Sequence, residues 1–162
     1  MAKRNKQIED LSFEMADTEG NILIKKIDAL DDLEQTDREG RTLLAYAAFY
    51  GRLDLLEYLV SRGANINAAD RNGYTALHGA VQEKRMDVIE YLLSRGADVN
   101  AKNAFGGTPI FILGHTAPKA LFRLLLDHGA DPYLKNNYDI SAYDTMAAYP
   151  DILAIFDEYK KK

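Results

Sequence analysis

The chain contains no cysteine among its 162 residues. Disulfides and thiolate metal sites are therefore excluded, while the redox compartment stays open because a cysteine-free chain can fold in any of them. Long apolar runs are also missing. The longest, Leu43 to Tyr50, is far short of the roughly 20 residues needed to cross a bilayer, so no membrane span is expected. Met1 to Lys6 is basic, but a charged segment follows it in place of an apolar core, so it does not read as a secretory leader. The expected address is the cytoplasm. No concentrated Lys/Arg run exists outside the termini, and without a basic field to track phosphates, nucleic acid is not an expected partner. Finally, no HExxH, GxSxG or Walker loop is present, and no spaced aspartate cluster. The expectation is a protein that is not an enzyme and needs neither cofactor nor metal.

What is present is a repeat. A 33-residue unit recurs without a gap at residues 37–69, 70–102 and 103–135, and a degraded fourth copy begins at Asn136. Gly40, Gly73 and Gly106 share one position, Thr42, Thr75 and Thr108 another, and the pairs Gly63-Ala64, Gly96-Ala97 and Gly129-Ala130 a third. A fixed period of this length marks a stack of supersecondary units in which each copy buries its apolar face against its neighbours. Within a copy, Leu44, Ala47 and Ala48, then Leu55, Leu56, Leu59 and Val60, recur at helical spacing. The two helices they predict are too short to be stable alone in water. Apolar content of 47% is enough for a continuous core.

The flanks read as caps: residues 1–36 as a basic tail and an acidic helix pair with Gly20 between the helices, and residues 136–162 as a closing unit whose helix begins at Pro150. Ile8, Leu11, Phe13 and Met15, then Ile22, Leu23, Ile27 and Leu30, supply the apolar positions of the first cap. Tyr159 and the terminal lysines are expected to fray. Net charge is −5, unevenly spread: Gln7 to Asp37 carries ten acids against Lys25 and Lys26, whereas Arg38 to Lys162 is formally neutral. The acidic segment reads either as a solvated cap that keeps one end of the stack soluble or as a docking site for a basic partner.

At these residues the chain resembles the ankyrin repeat family, whose units open with Asp-x-x-Gly-x-Thr-Pro-Leu-His-x-Ala and close with Leu-Leu-x-x-Gly-Ala-Asp-x-Asn. The second copy matches best, through Asp70, Gly73, Thr75, Leu77, His78 and Ala80, then Leu92, Leu93, Gly96, Ala97, Asp98 and Asn100. The resemblance implies an all-α solenoid of helix-turn-helix units with hairpin-like turns, three clear repeats and degenerate caps. It also implies a monomeric, non-catalytic module that binds a protein partner. A looser likeness, carried by the short array and Lys135 to Ser141, is to ankyrin proteins encoded beside bacterial polymorphic toxins; it implies an immunity protein that neutralises a toxin by stoichiometric binding. End-to-end joining of arrays is a further, structural alternative.

The resemblance also implies a concave face made by the hairpin tips and the exposed ends of the first helices. On this chain the tips supply Arg38, Glu39 and Arg41, then Arg71, Asn72 and Tyr74, then Phe105, and finally Asn137, Tyr138 and Ile140, while the helix ends add Phe49, Tyr50, Gln82, Glu83 and His115. Arg, Tyr and Phe are the residues enriched where binding energy concentrates. Phe105 and Tyr138 could instead fold back onto neighbouring hairpins. His78 occupies a motif position that implies a structural bond to Thr75 and the next turn, His128 suits a helix C-terminus, and His115 has no assigned role. Catalysis would need Asp144, His115 or His128 to converge, and no spacing forces this. The third copy departs from the pattern: Gly114 is expected to end its first helix early, Pro118 to open the next, and bulky Leu113, in the place of Ala47 and Ala80, to disturb the stacking. Lys84 replaces the turn glycine held by Gly51, and Asp139 the tip glycine, at a cost if φ is positive there.

Overall fold

The computed structural model describes residues 6–160. The basic tail, apart from Lys6, and the last two lysines lie outside the described residues. Nine helices are found among the described residues: α1 (Lys6–Glu14), α2 (Gly20–Asp28), α3 (Leu43–Tyr50), α4 (Leu53–Ser61), α5 (Ala76–Gln82), α6 (Met86–Ser94), α7 (Lys119–Asp127), α8 (Ala142–Thr145) and α9 (Pro150–Lys160). They form an all-α stack. Its inner layer runs α1, α3, α5, and its outer layer begins α2, α4, α6, with α3 packed on α1, α4 and α5. None of these helices is long and apolar enough to cross a membrane.

The inner helices of the first, second and fourth units start on a hydroxyl, and the outer helices of the first three units are followed by Gly63, Gly96 and Gly129, each with positive φ. The Thr42 side chain accepts the Ala45 N–H, and Thr75 and Ser141 build reciprocal capping boxes with His78 and Asp144. Between units, hairpins close through antiparallel bridges Thr36–Thr42, Ala69–Thr75 and Lys135–Ser141. Successive tips are then hydrogen-bonded to one another: Arg71 N–H to Glu39 O at 3.0 Å, Ala104 to Asn72 at 2.8 Å and Asn137 to Phe105 at 3.0 Å. This ladder explains the tip glycine. Gly73 has φ 74°, and a Cβ there would lie 2.9 Å from the Asn103 backbone, so both conformation and the next hairpin exclude a side chain. Asp139 holds the equivalent place with φ 62°, but it belongs to the last hairpin, and its carboxylate pairs with Lys135 at 2.8 Å. Lys84 likewise has φ 56°, at the position where Gly51 has 73°.

The buried residues form one seam. Leu44, Ala47, Leu55, Leu56 and Leu59 continue into Leu77, Ala80, Val88, Ile89 and Leu92, then Ile110, Leu121, Phe122 and Leu125, and end on Ile152, Ile155 and Phe156. His78 is fully buried within it. Its Nδ1 lies 2.9 Å from the Thr75 hydroxyl and its Nε2 3.3 Å from Gly107 O, so one ring ties the second unit to the third hairpin.

Several expectations need correction. In the third unit the first helix does not end early; it does not form. Residues 108–113 make one bond of helical span, Ile112 N–H to Thr108 O at 3.3 Å, beside turn bonds from Phe111 N–H to Thr108 O at 3.0 Å and Leu113 N–H to Ile110 O at 3.4 Å, and the turn does not propagate. Four residues between Pro109 and Gly114 cannot repay the cost of helix nucleation, and Leu113, 3% exposed, fills the core from a loop instead. Pro118 is the N-cap of α7 and not its first residue. Gly20 is the first residue of α2, where a Cβ would lie 2.1 Å from an Asp54 carboxylate oxygen. That carboxylate is held by Arg52, whose guanidinium also donates to Met15 O and Thr18 O, both at 2.8 Å, and so fastens the first cap to the stack. Phe13, placed among the cap's apolar positions, is 76% exposed. Tyr159 does not fray: it lies in α9, and its hydroxyl donates to Asp127 at 2.6 Å.

Candidate functional site

The inner helices and hairpins of the first two units enclose a hollow of about 260 Å³. Arg41, Phe49, Tyr50, Tyr74 and Gln82, all predicted from the sequence, line it together with Tyr46, Asp70 and Gly79. The rings are mutually braced: Phe49 meets Tyr50 edge-on at 5.4 Å, and Tyr46 stacks on Tyr50 at 6.5 Å. Such contacts fix aromatic rings that remain partly open to solvent. A neighbouring hollow of about 310 Å³ lies between the first cap and the first unit and shares Arg41, Tyr46 and Tyr50, adding Glu9, Ser12, Phe13, Asp37 and Arg38. The two adjoin through these shared side chains.

Arg41 and Tyr46 are held by one carboxylate. Asp37 is only 4% exposed; its Oδ2 accepts the Tyr46 hydroxyl at 2.6 Å and Arg41 Nε at 3.1 Å, and the guanidinium lies 5.2 Å over the Tyr46 ring. Burial works to raise the Asp37 pKa, but the bonds from Tyr46 and the Arg41 backbone, with the Arg41 charge, outweigh it and hold the carboxyl below its ordinary value. Burial first, and then the bond to Asp37, push the Tyr46 hydroxyl up to about 12. The trio is therefore a fixed, charge-balanced wall.

The other predicted residues do not line the first hollow. Arg38, which lines the second hollow, is exposed and pairs loosely with Glu39 at 3.4 Å. Arg71 and Asn72 are exposed at the second tip. Gln82 Nε2 donates to Glu83 at 3.4 Å, and Asn137 Nδ2 donates to Ala104 O at 2.9 Å. Phe105, Tyr138 and Ile140 are 56%, 70% and 42% exposed, so the two aromatic tips do not fold back onto the neighbouring hairpins. His115 gains an explanation: it stacks on Tyr149 with centroids 4.3 Å apart and planes within 6°, which joins the irregular third unit to the fourth. His128 Nδ1 lies 3.0 Å from Leu124 O at the end of α7. The repeated outer tyrosines are covered by arginines, Arg62 over Tyr58 and Arg95 over Tyr91, and the Tyr58 hydroxyl donates to Asp28.

Sequence reasoning missed Tyr46, Asp70 and Gly79. The signal lay in the register, because Tyr46 and Gly79 occupy the same place in successive copies and differ by a whole side chain. Two wider hollows of about 530 Å³, one beside α7 and α9 and one beside α1 and α2, contain none of the predicted site residues.

No curated protein matches the chain. A model of ankyrin repeats in three copies matches residues 15–103, starting inside the first cap and stopping at the hairpin where the third unit loses its inner helix. With more than half of its length in that match, and with the stacked units, hairpin ladder and bridging His78 described above, the chain belongs to the ankyrin repeat family.

Proposed function

We propose that this chain binds a protein partner through its concave face, with the aromatic hollow between the first two units as the anchor and the Phe105, Tyr138 and Ile140 tips as an outlying contact. Ankyrin repeats are generally protein–protein interaction modules, and the proteins that carry them are typically non-enzymatic scaffolds. The observation that carries the reading is the convergence of Arg41, Phe49, Tyr50 and Tyr74 on one hollow, with Tyr46 as a fourth aromatic ring. Rings already locked by neighbours lose little entropy on binding and give large contact areas.

The test is capture from lysate of the source organism by wild type and by a Tyr50, Phe105 and Tyr138 triple alanine variant. Arg41 is left in place because its guanidinium pairs with buried Asp37. The expected result is a partner retained by wild type and lost by the variant, which still unfolds in one cooperative transition; equal capture by both proteins would overturn the assigned face. The immunity reading rests on the same face and on the acidic first cap, which suits a basic toxin such as a nuclease. Its separate test is rescue of cells that express a toxin encoded beside this gene.

A further inference from the structure

The first two units begin their hairpins on equivalent aspartates and finish them differently. In the first, Asp37 Oδ1 accepts the Glu39 and Arg41 N–H groups at 2.8 and 2.9 Å, and Oδ2 takes the Tyr46 hydroxyl and Arg41 Nε. In the second, Asp70 Oδ1 accepts the Asn72 and Tyr74 N–H groups at 2.8 and 2.9 Å. The residues in register with Arg41 and Tyr46 are Tyr74 and Gly79. Neither donates to Asp70 Oδ2, and among the described residues no other group does.

The turn does not need that second oxygen. The third and fourth units make the same turn on asparagine: Asn103 Oδ1 accepts Phe105 and Gly107 N–H at 3.0 and 2.9 Å, and Asn136 Oδ1 accepts Tyr138 and Ile140 N–H at 2.9 and 3.1 Å. The charge on Asp70 is therefore surplus to the fold. It also lies where there is room, because Gly79 leaves empty the place that Tyr46 fills in the first unit; a Cβ on Gly79 would make only an ordinary 3.8 Å contact with Phe49.

We propose that a partner protein inserts an arginine into this hollow, resting its guanidinium on Asp70 Oδ2 and its stem against Phe49, Tyr50 and Tyr74, and so supplies in trans what Arg41 gives Asp37 in cis. The proposal rests on the concave-face reading above and names the chemistry of its anchor. Arginine fits because its planar cation both stacks on aromatic faces and donates to a carboxylate. A partner carboxylate would meet Asp70 and the negative faces of the rings. A purely apolar anchor would bury the Asp70 charge unpaired. The Arg41 charge is already offset by Asp37 behind it, which leaves Asp70 as the charge of the hollow without an ionic partner among the described residues, and the adjoining hollow, lined by Glu9 and Asp37 against Arg38 and Arg41, leads to the acidic first cap. A basic segment is attracted at Asp70 and again at the acidic cap.

The experiment selects peptides from a random library on the full chain and measures their affinity by fluorescence anisotropy, with Asp70→Asn as the charge-only variant. That substitution keeps the acceptor that Asn103 and Asn136 show to be sufficient for the turn. Selected peptides are expected to share an arginine, and either its replacement by citrulline or Asp70→Asn should weaken binding about tenfold, with no further loss when both are made. Peptides without a shared cation, or affinities unmoved by Asp70→Asn, overturn the proposal. Two further variants, Phe49→Ala and Tyr50→Ala, separate the failures. Peptides sensitive to these but not to Asp70→Asn sink the arginine alone, and peptides indifferent to all three sink the concave-face reading as well.

Discussion

Replacing Tyr46 by phenylalanine removes one oxygen and tests how the wall of the hollow is held. The ring, its stacking on Tyr50 and its place beneath Arg41 are retained; what is lost is the 2.6 Å bond from the hydroxyl to Asp37 Oδ2. Hydrogen bonds to ionised groups contribute about 1.5–3 kcal/mol. Because Arg41 and two backbone N–H groups continue to hold Asp37, the lower end applies, about 1.5 kcal/mol, or a fall of about 3–6 °C in the unfolding midpoint for a domain of this size. The pH dependence has a definite sign. The folded Asp37 carboxyl is held below its ordinary value, so the unfolded chain takes up the proton first. The stabilisation is then complete above the unfolded carboxyl value of about 3.9 and is lost as pH falls through the lower folded value. Urea denaturation should show the full gap between wild type and Tyr46→Phe at neutral pH and a closing gap in acid. A variant as stable as wild type at neutral pH, or a gap that persists undiminished in acid, would refute the account of Asp37 as an ionised, hydrogen-bonded brace.

Arg52→Ala deletes two bonds to cap carbonyls and frees Asp54; it should cost about 2 kcal/mol and speed amide exchange in α1 and α2 ahead of α5 and α6, whereas uniform exchange would refute the clamp. Lys84→Gly relieves a left-handed φ and should raise stability by about 1 kcal/mol in denaturant titration. His78 is held by burial below its ordinary value of 6.5, against the opposing pull of Gly107 O, so the unfolded chain binds the proton more readily. Stability should decline as pH drops below about 6.5, and His78→Gln should remove that part of the slope.

Most of the stack was legible because a period needs no propensity argument: Gly40, Gly73 and Gly106 align by position alone, and the helices between them follow from Leu and Ala at helical spacing. The third unit was misjudged because its first segment, Ile110 to Leu113, is as apolar as a helix and buries as one, and only the nucleation cost decides against it. Phe13 misled for the opposite reason, since in a nine-residue helix one apolar side chain can face out while Ile8 and Leu11 are buried. At the candidate site, exposed tips were readable from the family resemblance, but the hollow was not. It is made by the absence of a side chain at Gly79, which becomes visible only when the copies are compared position by position.

That comparison also says where specificity can reside in a repeat protein. Positions that hold the stack must satisfy both neighbours and are therefore tied to the register, as Gly73 is by the hairpin that follows it. Positions released from that demand diverge without unfolding the array. Tyr46 against Gly79, Arg41 against Tyr74, and Asp70 against Asn103 are three such pairs, and all three touch the hollow through Tyr46, Gly79, Arg41, Tyr74 and Asp70. A bond that is buried in one copy and unmade in the next, as at Asp37 Oδ2 and Asp70 Oδ2, marks a place with known chemistry, because the first copy displays the group that fits. The chain's own first unit thus serves as the control for its second, and restoring Arg and Tyr at positions 74 and 79 should close the hollow to any partner while leaving the stack intact.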